Sequence, residues 1–276
     1  MKLSRRSFLQ TATTLAGTTA FPWSVFAAQA KIQGVGSCLL GLRDAKQAGL
    51  DGVEVGAGGP ADQLDIARPE RIAQLKAEMQ ATGLPVCSIM MGLLNSNPLA
   101  TDPRASSWLE QTIEAARQLG ARNILVAFFG KGALQEGGKI KEAEFKVVVE
   151  RLRTVAPRAA DAGVILAVEN TLTAEQNEQL LDAVGHPSVR IYYDVYNTRA
   201  YGVPQEIRRL GRRISQFHFK NGPKYLDDDP QYFQEVAAAV REIGYEGWIV
   251  LETSSPSKDH IADARRNGEY VRKLFA

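Results

Sequence analysis

Two kinds of metal-binding residue are scarce in this chain, which has two cysteines and three histidines among 276 residues. A zinc module built on four thiolates is therefore excluded, and so is a dense disulfide framework. Cys38 and Cys87 both fall in expected strands, and two separate buried thiols are the expectation. An excess of charge of one sign is missing too. Lysine and arginine number 33 against 31 acidic residues, so no broad polyanion-binding surface is indicated and no nucleic acid is expected as a partner. No linker rich in Pro, Gly or Ser divides the chain. The glycine-rich turn of a dinucleotide fold does not follow the first strand, and Gly130-Lys131-Gly132 lacks P-loop spacing. What remains is 45% hydrophobic and 23% charged, an ordinary globular composition at a length that fits one barrel-sized domain.

The first thirty residues stand apart. Ser4-Arg5-Arg6-Ser7-Phe8-Leu9 is a twin-arginine pattern, followed by a weakly apolar run and by small residues that offer cleavage after Ala27 or Ala30. Residues 1–30 are read as an export signal, and the mature protein is expected in the periplasm. Thr, Gly and Pro interrupt the apolar run, which argues against a retained membrane helix. Val35-Gly36-Ser37-Cys38 looks like a lipidation box but lies inside an expected strand.

From residue 31 to 276, strand-like and helix-like segments alternate. Strands are expected over Lys31–Cys38, Gly52–Gly56, Val86–Met91, Asn123–Phe129, Val164–Asn170, Val189–Asp194, Ile214–Lys220 and Trp248–Thr253. Helix-length segments follow each of them, several closed by Gly. Eight such units predict one α/β domain, a closed (β/α)8 TIM barrel, whose chemistry sits at the C-terminal ends of its strands. Four consecutive strands end on Glu169, Asp194, His218 and Glu252. Alone, each such acid or histidine reads equally well as a helix cap or a satisfied core residue. Gathered on one rim they form three carboxylates and an imidazole, a donor set suited to one divalent cation; Mn2+, Mg2+, Co2+ and Zn2+ all remain open.

Several segments in order carry a family resemblance: AKQAGLDGVEVG, EAARQLGARNILV, AADAGVILAVEN, HPSVRIYYDVYN, ISQFHFKN and GYEGWIVLET. The chain resembles the sugar phosphate isomerase/epimerase superfamily with the xylose isomerase-like barrel. The resemblance places Glu169, Asp194, His218 and Glu252 on the family's metal ligands and makes Glu169 and Glu252 the acid–base pair. With a cation polarising a carbonyl, one glutamate removes the adjacent proton and the other returns it through an enediolate. Glu54, Asn197 and Lys220 match positions implied to contact substrate: Glu54 orienting a hydroxyl or a lysine, Lys220 facing the enediolate. Asn170 is expected to steady Glu169. A rim salt bridge for Glu54 and a solvated lysine are the bland alternatives.

The departures matter as well. No histidine follows strands three or four, which excludes the multi-zinc endonuclease branch, and His186 and His260 read as structural. Asn221-Gly222-Pro223-Lys224 stands where ketose 3-epimerases carry an arginine. The expected function is thus isomerisation or epimerisation of a non-phosphorylated sugar or sugar derivative. A lyase or dehydratase acting on keto-glycosides or keto-inositols is the enzymatic alternative, and a non-catalytic carbohydrate-binding barrel a further one. A homo-oligomer is compatible with the family, though no stripe of the sequence marks an interface.

Overall fold

Eight short, largely buried segments form the parallel strands β1 (Lys31–Ser37), β2 (Gly52–Gly56), β3 (Val86–Met91), β4 (Asn123–Ala127), β5 (Ile165–Glu169), β6 (Val189–Asp194), β7 (Ile214–Phe219) and β8 (Glu246–Leu251). Each pairs with the next, and β8 pairs back with β1, so the sheet closes into a barrel. The computed structural model describes residues 30–276; apart from Ala30, the expected export signal lies outside the described residues.

The outer layer consists of α1 (Leu42–Gln47), α2 (Pro69–Thr82), α3 (Ala105–Leu119), α4 (Glu142–Asp161), α5 (Ala174–Val184), α6 (Val203–Leu210), α7 (Pro230–Glu242) and α8 (His260–Phe275). Their start signals are local: Pro69 and Pro230 open α2 and α7, and a Thr173–Gln176 capping box opens α5. Alternation along β7 sends Phe217 and Phe219 outward. There Phe217 meets Tyr245 edge-on at 4.8 Å, and Phe219 meets Phe233 of α7 at 5.8 Å. Trp108 of α3 is fully buried, and its indole N–H donates to the Ala61 carbonyl at 2.7 Å. At the other end of the barrel the Trp248 ring presses on β1 and β2. A Cβ on Gly34 would lie 2.5 Å from that ring and one on Gly52 3.0 Å away, so only glycine fits there.

The sequence pattern and the structure part company in a few places. β4 stops at Ala127 rather than Phe129, although the Phe128 N–H still donates to the Glu169 carbonyl. The β4–α4 connection contains a small antiparallel hairpin, Gln135–Glu136 with Lys139–Ile140, turning through Gly137-Gly138. Two-residue strands carry no periodicity to detect, and only the Gly-Gly pair signals them. Cys38 lies one residue past β1 and is half-buried, whereas Cys87 is buried in β3; both are free thiols. Among the described residues, no helix is long and apolar enough to cross a membrane.

Candidate active site

The register of the last four strands determines the site. Asp194 and His218 are direct partners across β6 and β7, Glu169 ends β5, and Glu252 follows β8. One donor atom from each of these four residues lies within 4.8 Å of the others. His218 is fully buried at the centre. Its Nδ1 is 2.9 Å from Glu169 Oε1 and 3.5 Å from Glu252 Oε2. Lys220, two residues on and therefore on the same face of the strand, reaches Glu252 Oε2 at 2.7 Å and Asp194 Oδ2 at 3.1 Å.

The supporting residues are placed unevenly. The turn after β6 folds back on Asp194, whose Oδ1 accepts the backbone N–H groups of Tyr196 and Asn197, each at 2.7 Å. Asn197 thus reaches the site through its main chain. Glu54 is only 3% exposed and lies beneath His218. Its oxygens are taken up by His218 Nε2, the Ser88 hydroxyl and the Tyr192 hydroxyl rather than by Lys220. Asn170 does not touch Glu169. Its amide donates to Asn177 and its oxygen accepts from Leu172 N–H, so it pins the turn into α5 instead. His186 accepts from Ser188 N–H in its loop, and His260 is the exposed first residue of α8.

The loops after β6, β7 and β8 are bound to one another. Arg199 stacks 3.8 Å over the Tyr232 ring, pairs with Asp229 and donates to Asn221. Ser254 donates to the Gly222 carbonyl. On the opposite side of the barrel mouth the side chains are apolar. Met90 and Phe129 are partly buried against Leu125, Ala127, Ala167 and Tyr192 of the barrel interior.

Electrostatically the centre is overloaded with negative charge. Burial pushes the Glu169 carboxyl up to about 7, even though His218 pulls the other way. Asp194 is likewise raised by burial, against the pull of Lys220 and His218. For Glu252 burial is outweighed by His218 and Lys220, and its carboxyl is lowered. Burial disfavours a charged His218, but Glu169 and Glu54 on either side prevail and hold it well above the ordinary imidazole range.

These residues fit a divalent cation. Three carboxylates and one imidazole converge, and buried Asp194 Oδ2 has no hydrogen bond, only the ion-pair approach of Lys220. A cation among them would satisfy that oxygen and offset the burial that disfavours the charged forms of Glu169 and Asp194. A second cluster, Cys38, Glu54 and His218, also lies within 4.8 Å. There Glu54 already accepts three hydrogen bonds, and burial first, then nearby carboxylates, push the Cys38 thiol far up.

Residues 42–274 match the model of the xylose isomerase-like TIM barrel family. The chain belongs to that family. Its relatives include a 2-epi-5-epi-valiolone 7-phosphate 2-epimerase from Actinoplanes sp., 28% identical over 193 residues, which are 68% of this chain and 70% of that one. Among solved structures, the D-psicose 3-epimerase of Clostridium cellulolyticum H10, described with D-tagatose, superposes with a TM-score of 0.70 at 18% identity. That match covers 88% of this chain and 99% of the other. The 3-keto-D-glucoside 4-epimerase of E. coli gives 0.69 at 18% identity, with the same two coverages. All three are epimerases by name, and the two solved structures share this barrel fold.

Sequence reasoning missed Ser88, Tyr192 and Gln216, which form the buried layer around Glu54. Their signal was available in the alternation. Tyr192 stands two before Asp194 and Gln216 two before His218, so each shares its strand face with a rim residue.

Proposed function

We propose that this chain is a divalent-metal-dependent isomerase or epimerase, acting on a non-phosphorylated sugar or sugar derivative by proton transfer through an enediolate. The isomerase/epimerase class follows the relatives; the substrate, the metal and the proton path are our reading. The observation that carries it is the convergence of Glu169, Asp194, His218 and Glu252 within 4.8 Å, with Asp194 Oδ2 left without a hydrogen bond. Those four residues would hold one Mn2+, Mg2+, Co2+ or Zn2+ ion. When bound, the cation supplies electrophilic polarisation of a carbonyl and offsets developing negative charge.

The chain's own residues do the rest. Glu169 and Glu252 come from the first and last of four neighbouring strands and flank the substrate, one taking the proton from carbon and the other returning it. Lys220, already 2.7 Å from Glu252, faces the oxygen on which charge develops. Asn197 and Glu54 contribute around the substrate and beneath the site.

The absence of a phosphate on the substrate rests on the loop after β8. Barrel enzymes often bind phosphate near the strand-seven and strand-eight loops at a helix N-terminus. Here that terminus is filled by carboxylates: Asp259 caps Ala262 N–H, and Asp263 accepts from Ser255, Ser257 and Tyr225. The Actinoplanes relative is named for a phosphorylated substrate, so phosphorylated counterparts belong in the assay. The twin-arginine segment supports a periplasmic address for the mature protein, which a reporter fused after residue 30 would test.

One observation favours a lyase or dehydratase on keto-glycosides at the same centre. Leu39 is 58% exposed, Tyr196 37% and Tyr201 42%, and all three lie on rim loops where an aglycone could rest. A single experiment separates the two reactions. Cation-loaded protein and Glu169→Gln are incubated in D2O with free ketoses, aldoses, 3-keto-glycosides and sugar phosphates. Deuterium entering beside a carbonyl with the skeleton intact supports the isomerase or epimerase, and release of the aglycone supports the lyase. Wild-type protein that exchanges nothing would refute both.

A further inference from the structure

Beneath the four ligand residues the barrel interior is polar, where barrels of this kind ordinarily stack branched apolar side chains. Glu54, Ser88, Tyr192 and Gln216 meet there, each no more than 3% exposed. The direction of every proton in this layer follows from one amide. Gln216 Nε2 donates to Ser88 Oγ at 2.8 Å and to Tyr192 Oη at 2.9 Å, which commits both of its hydrogens. The two hydroxyl oxygens are thereby acceptors, and their own protons point to Glu54 Oε2, at 2.7 Å and 2.9 Å. Reversing the amide would turn both hydroxyl protons toward Gln216 and leave Glu54 Oε2 facing lone pairs. Glu54 Oε1 is 3.1 Å from His218 Nε2, and a carboxyl group that already accepts two hydroxyl protons is placed as an acceptor, so the proton there is assigned to His218.

We propose that Glu54 is a positioning residue for the metal centre: with Ser88, Tyr192 and Gln216 it fixes the proton of His218 on Nε2, so that Nδ1 is offered to the cation. The inference rests on the metal-site reading above and deepens it. Nδ1 is the nitrogen that faces Glu169 and Glu252, so a carboxylate on the opposite nitrogen both orients the ring and makes Nδ1 a stronger donor. It also accounts for Cys38. In the second cluster Glu54 and His218 Nε2 are already committed to each other, which leaves Cys38 without that pair to share a cation with.

The test is Mn2+ binding, followed by loss of the free-ion EPR signal, in wild type, Glu54→Gln, Tyr192→Phe, Ser88→Ala and the remote surface control Glu110→Gln. Cation-free melting temperatures are measured in parallel. Removing a partner of a ligand histidine weakens metal binding by about 10- to 100-fold, and that loss is expected for Glu54→Gln. Tyr192→Phe and Ser88→Ala should show smaller losses in the same direction, and the control none. Nitrogen NMR of the Zn2+-loaded wild type should place the His218 proton on Nε2. Wild-type affinity in all three site variants would overturn the inference while leaving the metal site standing, as would a proton on Nδ1. A wild type that takes up neither Mn2+ nor Zn2+ would instead overturn the metal-site reading itself. A purely structural role would lower the melting temperatures with affinity unchanged, which also refutes positioning. Should Glu54→Gln fail to fold, the two hydroxyl variants decide.

Discussion

The two halves of the barrel mouth share one scaffold and carry opposite chemistry. From β5 to β8 each strand carries an acid or histidine at or beside its C-terminal end, and the loops after β6, β7 and β8 are cross-linked through Arg199, Asn221, Gly222 and Ser254. From β1 to β4 the mouth is lined by a thiol and by apolar side chains, Met90 and Phe129 among them. The apolar half contributes one carboxylate, Glu54, and sends it underneath to hold His218 rather than outward. One half is thus built to hold charge, the other to exclude water and leave room. A substrate lying across both would meet charge at one end and an apolar wall at the other.

The contrast is broken most severely by removing charge from the first half. Chelation should abolish solvent-deuterium exchange, with recovery on adding back a divalent cation. Glu169→Gln and Glu252→Gln should each cost roughly 10²- to 10⁴-fold in exchange rate, the usual worth of a positioned acid or base. Met90→Leu on the other half preserves volume and should change the rate by less than about threefold. Comparable losses in both halves would mean that the division is not functional. Binding should also be visible as stability: cation at 100 times its dissociation constant adds about 2.7 kcal/mol, measurable as a rise in melting temperature.

A smaller effect concerns pH. In the cation-free fold Glu169 is held at about 7 against an ordinary 4.5, chiefly by burial. Between those values the folded protein keeps a proton that the unfolded chain has released. The group's stabilising contribution is therefore fully present below about 4.5 and is lost as pH rises through about 7. Relative to Glu169→Gln, the wild type should lose up to about 3 kcal/mol across that window, read from denaturation of chelated protein at several pH values. A difference independent of pH would show that Glu169 is ionised throughout.

Lys220→Met comes next. It leaves Asp194 and Glu252 without their cationic partner, but Glu252 is 32% exposed, so the cation-free protein should lose only about 1–2 kcal/mol. Because the lysine competes with the cation for the same oxygens, Mn2+ should bind more tightly to this variant in the same EPR titration. Weaker binding would mean that Lys220 assembles the site rather than balances it.

The charged half was legible in the sequence because each candidate ligand lies at or beside a strand end, and strand ends are where a barrel gathers residues from distant parts of the chain. The eight strand–helix units were legible for the same reason, each carrying its own periodicity and stop signal. The layer beneath was not. A buried Glu, Ser, Tyr or Gln in a strand reads as four unrelated polar residues until the closed sheet brings residues 54, 88, 192 and 216 together. Asn170 shows the reverse error, since adjacency to Glu169 suggested contact, yet successive residues of a strand point to opposite faces. The Gln135–Ile140 hairpin was missed because two residues cannot display a period.

The charged half also offers the finest test, through a glycine packed under an exposed aromatic of its own rim. Gly222 has φ +56 and lies under Tyr196; a Cβ there would fall 2.6 Å from the Tyr196 hydroxyl. Gly222→Ala should therefore cost about 1 kcal/mol of stability for the left-handed backbone and push Tyr196, 37% exposed, away from the loop after β7. If Tyr196 supports an aglycone, losing an aromatic contact worth about 0.5–1.5 kcal/mol should raise KM for a glycoside roughly two- to tenfold. KM for a free sugar should stay unchanged, since its reacting end meets only the charged centre. Equal changes for both substrates would show that Tyr196 supports the loop and not the ligand.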